Sequence, residues 1–186
     1  HFLAAAHVGE YSLPDGALTH GSVSCTIRTG GPATDAYTAS AVYVSPEWVD
    51  ENPETLSAKA PKGTGENDFA VLAITGSATT HALPSSFPYI PLSSATPQIG
   101  EKVTIGSYAA QYLGTNDITN HLFPTIVFDP VSDRFTFAKT SVDVISVAGT
   151  AAAQAGSSGG GVADASGGLT GVITTSSITG DISKHV

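Results

Sequence analysis

Short apolar runs follow one another along this chain, and glycine or proline interrupts nearly all of them before a helix could be sustained. Candidate strands cover 37–44, 68–75, 102–108, 125–128, 134–138 and 141–147, with 160–163 and 169–174 near the end. Phe135-Thr136-Phe137 alternates at period two, while Phe69 to Ile74 is nearly continuous in apolar character, as a strand buried on both faces requires. Turn signals stand at Pro14-Asp15-Gly16, Gly30-Gly31-Pro32, Asp129-Pro130 and Gly167-Gly168. Short helical turns are expected only at 4–8 and 46–50. Many short strands with frequent turns predict an all-β sandwich or barrel.

With 186 residues the chain can form one large β domain or two small ones, and 41% hydrophobic residues supply a core. The net charge is −9, with seven Lys plus Arg and no basic cluster, so nucleic acid is not an expected partner. No apolar run reaches the length of a membrane span. Only 12% of residues are charged, a composition that fits a secreted or cell-envelope protein. The chain opens inside an apolar run, His1 to Ala6, and reads as a fragment.

A compositional break lies between about 76 and 100, where Pro84, Pro88, Pro91 and Pro97 accompany several Ser and Thr. It divides the chain into a first unit over 1–80, a linker over 81–99 and a second unit over 100–186. The polar stretch 52–66 reads as an exposed loop leading to Asp68. Cys25 is the single cysteine, so no internal disulfide forms. Its alternation with Val23 and Ile27 makes it a core thiol on a half-buried strand.

Three residues carry chemistry. Ser158 lies in Gly156-Ser157-Ser158-Gly159-Gly160-Gly161. A serine hydroxyl needs a base and nearby N–H donors for a developing oxyanion, and glycines let successive amides point into one cavity. Alone, the stretch also reads as a flexible linker. The apolar Val162, Leu169, Val172 and Ile173 that follow, with a Gly-Gly turn between, make it the start of a hairpin instead. His7 ends the apolar segment Phe2 to Ala6, where a strand and short turn can fix its ring; an imidazole is the natural base near neutrality. His20, His81, His121 and His185 lack that setting. Asp68 stands at the mouth of a strongly apolar strand, where a carboxylate needs donors around it. A structural histidine and a turn-forming aspartate are the plainer readings of each alone. No His-Glu-x-x-His spacing and no cysteine cluster exists, so neither metal nor cofactor is expected.

Taken together, these segments resemble the trypsin/chymotrypsin-like serine peptidases, including their disulfide-poor bacterial members. Phe2 to Val8 is similar to the family's T/S-A-A-H-C segment, Asn67 to Ile74 to N-D-I-A-L-L-x-L, Gly156 to Gly161 to G-D-S-G-G-P, and Gly171 to Ser176 to the later strand G-V/I-V-S-W-G. The resemblance implies two antiparallel β-barrels with the active site between them. It implies His7 as general base, Asp68 as its orienter and Ser158 as nucleophile, with the N–H groups of Gly156 and Ser158 as oxyanion hole. Thr174 would face Asp68, Thr174, Thr175 and Ser176 would pair with a peptide or protein substrate, and Ala152 would lie near the base of the specificity pocket. An uncharged Ala152 favours a small or apolar substrate side chain. The chain departs from the pattern at Val8 (usually Cys), Ser157 (usually Asp), Gly161 (usually Pro) and Ser176 (usually Gly). Ser157 cannot pair with a newly freed N-terminus. Strands expected before His1 and a helix expected at the end would come from a further segment or chain completing the barrels.

The resulting expectation is a serine endopeptidase. Its alternatives are a catalytically inactive peptidase-like binding or scaffold module, and a secreted β-rich adhesion protein in which the three residues lie far apart.

Overall fold

A computed structural model describes residues 1–9, 25–52, 65–136, 141–147, 149 and 151–174. Its elements are β1 (Phe2–Ala4), α1 (Ala6–Gly9), β2 (Cys25–Thr29), β3 (Thr34–Val44), α2 (Pro46–Glu51), β4 (Ala70–Ser77), β5 (Lys102–Ser107), α3 (Thr115–Asn120), β6 (Thr125–Phe135), β7 (Val144–Val147), β8 (Gly161–Ala163) and β9 (Leu169–Val172). The fold is all-β. Two curled antiparallel sheets, each a half-barrel, make up the fold, one of four strands and one of five.

The first sheet has strand order β1-β4-β3-β2 and the second β7-β6-β5-β8-β9. Each sheet has its own core. Ala4, Ile27, Ala39 and Leu72 pack in the first, and Val103, Ile105, Val131, Ala152, Val162 and Ile173 in the second. β4 is central, with Leu72 opposite both Phe2 and Ala41. Its apolar run is not buried on both faces: Ala70 and Leu72 are buried, while Val71 and Ala73 are half-buried. An antiparallel sheet places one face on its core and leaves the other partly covered. Phe69, just outside the strand, stacks on Tyr43 with ring centroids 5.7 Å apart.

The expected turn at Asp129-Pro130 and the separate strands either side of it are replaced by the single strand β6. Residues 125–130 of β6 pair with β5, and Val131 to Phe135 pair with β7. Pro130 sits at the handover, opposite Lys102 and before pairing with β7 begins. A residue without N–H is tolerated there because no ladder bond on the second side is lost. The ladder resumes at once, with Val131 N–H donating to Glu101 O at 2.9 Å. A bulge between Val131 and Asp133 accompanies the change of partner.

β4 and β5 are joined by 78–101, which holds no strand but makes one bridge, Leu92 to Leu169. Leu169 N–H donates to Pro91 O and Ser93 N–H to Leu169 O, at 2.7 and 2.8 Å. Asp164, before the β8–β9 turn, accepts from the Ser93 hydroxyl. It also accepts from the Ser166 hydroxyl at 2.6 Å, Ser166 N–H at 2.8 Å and Gly168 N–H at 3.0 Å. These donors, the Ser166 hydroxyl foremost and Ser93 next, hold the Asp164 carboxyl well below the usual carboxylate range.

A second tie joins the two sheets. The Arg28 guanidinium on β2 donates to Ile118 O at 2.9 Å and Thr119 O at 2.6 Å on α3, and to Ala33 O at 2.5 Å. Tyr108, just after β5, donates its hydroxyl to Gly30 O at 2.8 Å. The turn at 14–16, residues Val23 and Phe137, and 53–64 of the expected exposed loop lie outside the described residues.

Candidate active site

His7 sits in α1, directly after β1, whose pairing runs Phe2 with Leu72, Leu3 with Val71 and Ala4 with Ala70. That register brings the end of β1 to the beginning of β4, where Asp68 lies two residues before the strand. Small residues make the approach possible: Ala4, Ala5 and Ala6 are all buried. Asn67 has φ 56°, a left-handed conformation that Asn tolerates better than most residues. The chain therefore turns just before Asp68.

The Asp68 carboxylate, 5% exposed, grips His7 twice. Oδ1 accepts the His7 backbone N–H at 3.0 Å, and Oδ2 lies 2.7 Å from Nδ1. A buried carboxylate without donors would be costly, and these two contacts satisfy it. With Nδ1–H directed at Asp68, the neutral ring keeps its proton there and leaves the Nε2 lone pair available to receive another. The His7 side chain is 26% exposed, so it is reachable from solvent.

Ser158 stands in a loop of two successive turns that share Ser157. Ser157 N–H donates to Gln154 O at 2.9 Å, and Gly160 N–H to Ser157 O at 2.9 Å. The third residue of each turn is glycine with positive φ, Gly156 at 91° and Gly159 at 84°. Type II turns need that conformation at the third position, which explains the glycine spacing around the serine. Gly159 N–H donates to Ile173 O at 2.8 Å, and Ile173 N–H returns to Gly160 O at 2.8 Å, so the loop enters β8 alongside β9.

This loop lies against the His7 segment. A Cβ on Gly159 would stand 3.3 Å from Ala5 N and 3.4 Å from Ala4 Cα. The residue after Ser158 thus abuts the backbone just before His7. No hydrogen bond joins Ser158 to His7. Among the described residues, the N–H groups of Gly156 and Ser158 have no protein acceptor, whereas those of Ser157, Gly159 and Gly160 are all engaged.

The remaining sequence candidates are placed unevenly. Ala152 is fully buried in the second core, and its carbonyl accepts the Ser107 hydroxyl at 2.6 Å. Its neighbour Ala153 lines a cavity of about 280 Å³ between the Asn67–Phe69 turn and strands β7 and β9. Thr174 and Asp68 both line this cavity, with no hydrogen bond between them. His7 and Ser158 do not line it. Thr175 and Ser176 lie outside the described residues. The sequence reading missed Gln154 and Ala110, which hold the serine loop through their backbone and therefore leave no side-chain signal. Among the described residues no cluster of His, Cys, Asp and Glu can hold a metal ion, and no helix is long and apolar enough to cross a membrane.

No family model and no curated protein matches the chain. Among solved structures, it is similar to the crystal structure of Rv3671c from M. tuberculosis H37Rv, a serine-to-alanine mutant in its inactive form, with 16% identity and a TM-score of 0.45. The match covers 95% of this chain and spans 65% of the length of that one.

Proposed function

We propose that the protein is a serine endopeptidase, with His7 as general base, Asp68 as its orienter and Ser158 as nucleophile. The observation that carries this reading is the double hydrogen bond from His7 to the buried Asp68 carboxylate. It fixes ring position through the backbone and tautomer through Nδ1, which is what a base acting through Nε2 needs. The contact of Gly159 with Ala4 and Ala5, and the unengaged N–H groups of Gly156 and Ser158, support it further.

In the proposed reaction Ser158 Oγ attacks the scissile carbonyl carbon while its proton passes to His7 Nε2. The displaced carbonyl electron pair becomes an oxyanion held by the N–H groups of Gly156 and Ser158. Collapse breaks the C–N bond, and the leaving amine takes the proton from Nε2. Water then repeats the sequence on the acyl-enzyme, releasing a carboxylic acid and regenerating the serine. In the same proposal the chain forms two units, 1–80 and 100–186, works outside the cytoplasm, and accepts small or apolar side chains. Thr174, Thr175 and Ser176 pair with substrate as an added strand.

One observation favours the reading of a peptidase-like binding module without activity: Ser158 and His7 share no hydrogen bond. A serine-directed phosphonate separates the two. Covalent labelling at Ser158, lost in His7→Ala, is the outcome expected of the enzyme; an unlabelled protein that still binds peptides is the outcome expected of the module.

A further inference from the structure

We infer that Ser157 is a positioning residue that presets the oxyanion-binding amides by an internal neutral hydrogen bond, so that the loop needs no ion pair to assemble. The inference rests on the peptidase reading above. Ser157 is 3% exposed, and its hydroxyl donates to Gln154 O at 2.5 Å. The same carbonyl also receives the Ser157 N–H at 2.9 Å. One acceptor with two lone pairs thus holds both donors of one residue, and the polar side chain is satisfied wholly within its own turn.

The consequence for the amides follows from peptide geometry. In a planar trans peptide the C=O and N–H point in opposite directions. Gly156 N–H belongs to the peptide whose carbonyl is Ala155 O, and Ala110 N–H donates to that oxygen at 3.1 Å. Ser158 N–H belongs to the peptide whose carbonyl is Ser157 O, which accepts Gly160 N–H at 2.9 Å. Both carbonyls are tethered, so both N–H groups are turned the other way. Rotating either peptide breaks a hydrogen bond. Ser157 is common to the two turns, and its hydroxyl fixes the corner between them. From outside, the Gln111 side chain accepts Ala155 N–H at 3.4 Å, and a Cβ on Gly156 would meet Ala110 Cβ at 3.0 Å, which shows how closely the 108–112 segment backs the loop. The buried hydroxyl anchors the corner with no charge to neutralise.

The test compares kinetics of Ser157→Ala and Ser157→Thr with the unaltered protein, on one peptide substrate, with circular dichroism as a fold control. Ser157→Ala should lower kcat about tenfold with KM within about twofold, because the lost interaction acts on the transition state. Ser157→Thr, which keeps the hydroxyl, should restore most of the loss. If Ser157→Ala does not fold, Gln111→Ala loosens the same loop from its exposed side and should give a kcat-only loss of a few fold. A folded Ser157→Ala variant with unaltered kcat overturns the inference, as does a Thr variant no better than Ala. If the unaltered protein neither hydrolyses peptides nor is labelled by the phosphonate, the peptidase reading itself fails, and that result is distinct from either.

Discussion

The two halves of the candidate site are held in different ways. His7 and Asp68 are fixed by side-chain chemistry acting across 61 residues of sequence, with one carboxylate gripping ring and backbone together. The loop around Ser158 is fixed chiefly by its backbone, through two glycine turns and amide–carbonyl bonds to Ala110, Gln154 and Ile173, to which the Ser157 hydroxyl adds a bond to Gln154 O. The first half depends on which atoms a residue carries, the second on which φ it can adopt and how much room it has. Asp68→Asn should therefore injure the first, and an added methyl group at a loop glycine should injure the second.

The sharpest break is Ser158→Ala, expected to remove hydrolysis by on the order of 10⁶ in kcat while leaving the fold intact, measured by steady-state kinetics and circular dichroism. Asp68→Asn comes next. It preserves shape but allows the wrong tautomer of His7, with a loss of about 10⁴ in kcat. Unchanged activity in that variant would remove Asp68 from the set. On the backbone side, a Cβ at Gly160 would lie 2.7 Å from Gly106 O and 2.8 Å from Ile173 Cδ1. Gly160→Ala should thus cost about 1–3 kcal/mol of stability by overpacking, read as a lowered Tm. The smallest effect concerns the Asp164 cluster. Its folded pKa is depressed, so its stabilisation is fully present above the ordinary carboxylate value of about 3.9 and is lost as pH falls toward the folded value. Asp164→Asn should flatten the fall in Tm on acidification across that range; an unaltered Tm profile would show that the Ser93 and Ser166 contacts contribute nothing.

Sequence patterning located most strands because alternation and turn residues are local signals. β3, β5, β7 and β9 fall within or beside the expected segments, and the Gly167-Gly168 turn joins β8 to β9 as expected. α3 was not legible. Its sequence, Thr-Asn-Asp-Ile-Thr-Asn, is poor in helix formers, and Gly114 provides no side-chain cap. Arg28, far away in sequence, supplies donors to its carbonyls, so tertiary contact overrides propensity. Pro130 misled for the converse reason: locally it signals a turn, but a strand that changes partner there has no N–H bond to lose. In the site, each of His7 and Asp68 stood out locally beside an apolar run, but their pairing across 61 residues was expected only from the resemblance to the serine peptidases. The anchoring of the serine loop by Ala110 and Gln154 was not, since any residue can offer a backbone amide or carbonyl.

The bridge between Leu92 and Leu169 has a consequence for how far the two sheets can swing apart. A connector of loose chain would let the sheets separate freely, but this one is stitched to the second sheet part-way along. The free tether is only the stretch from Ala78 to Ile90, and Arg28 adds a further fastening, from β2 to α3. Separating the two sheets would therefore require breaking the Arg28 bonds to α3, with only a short length of connector free to take up the movement.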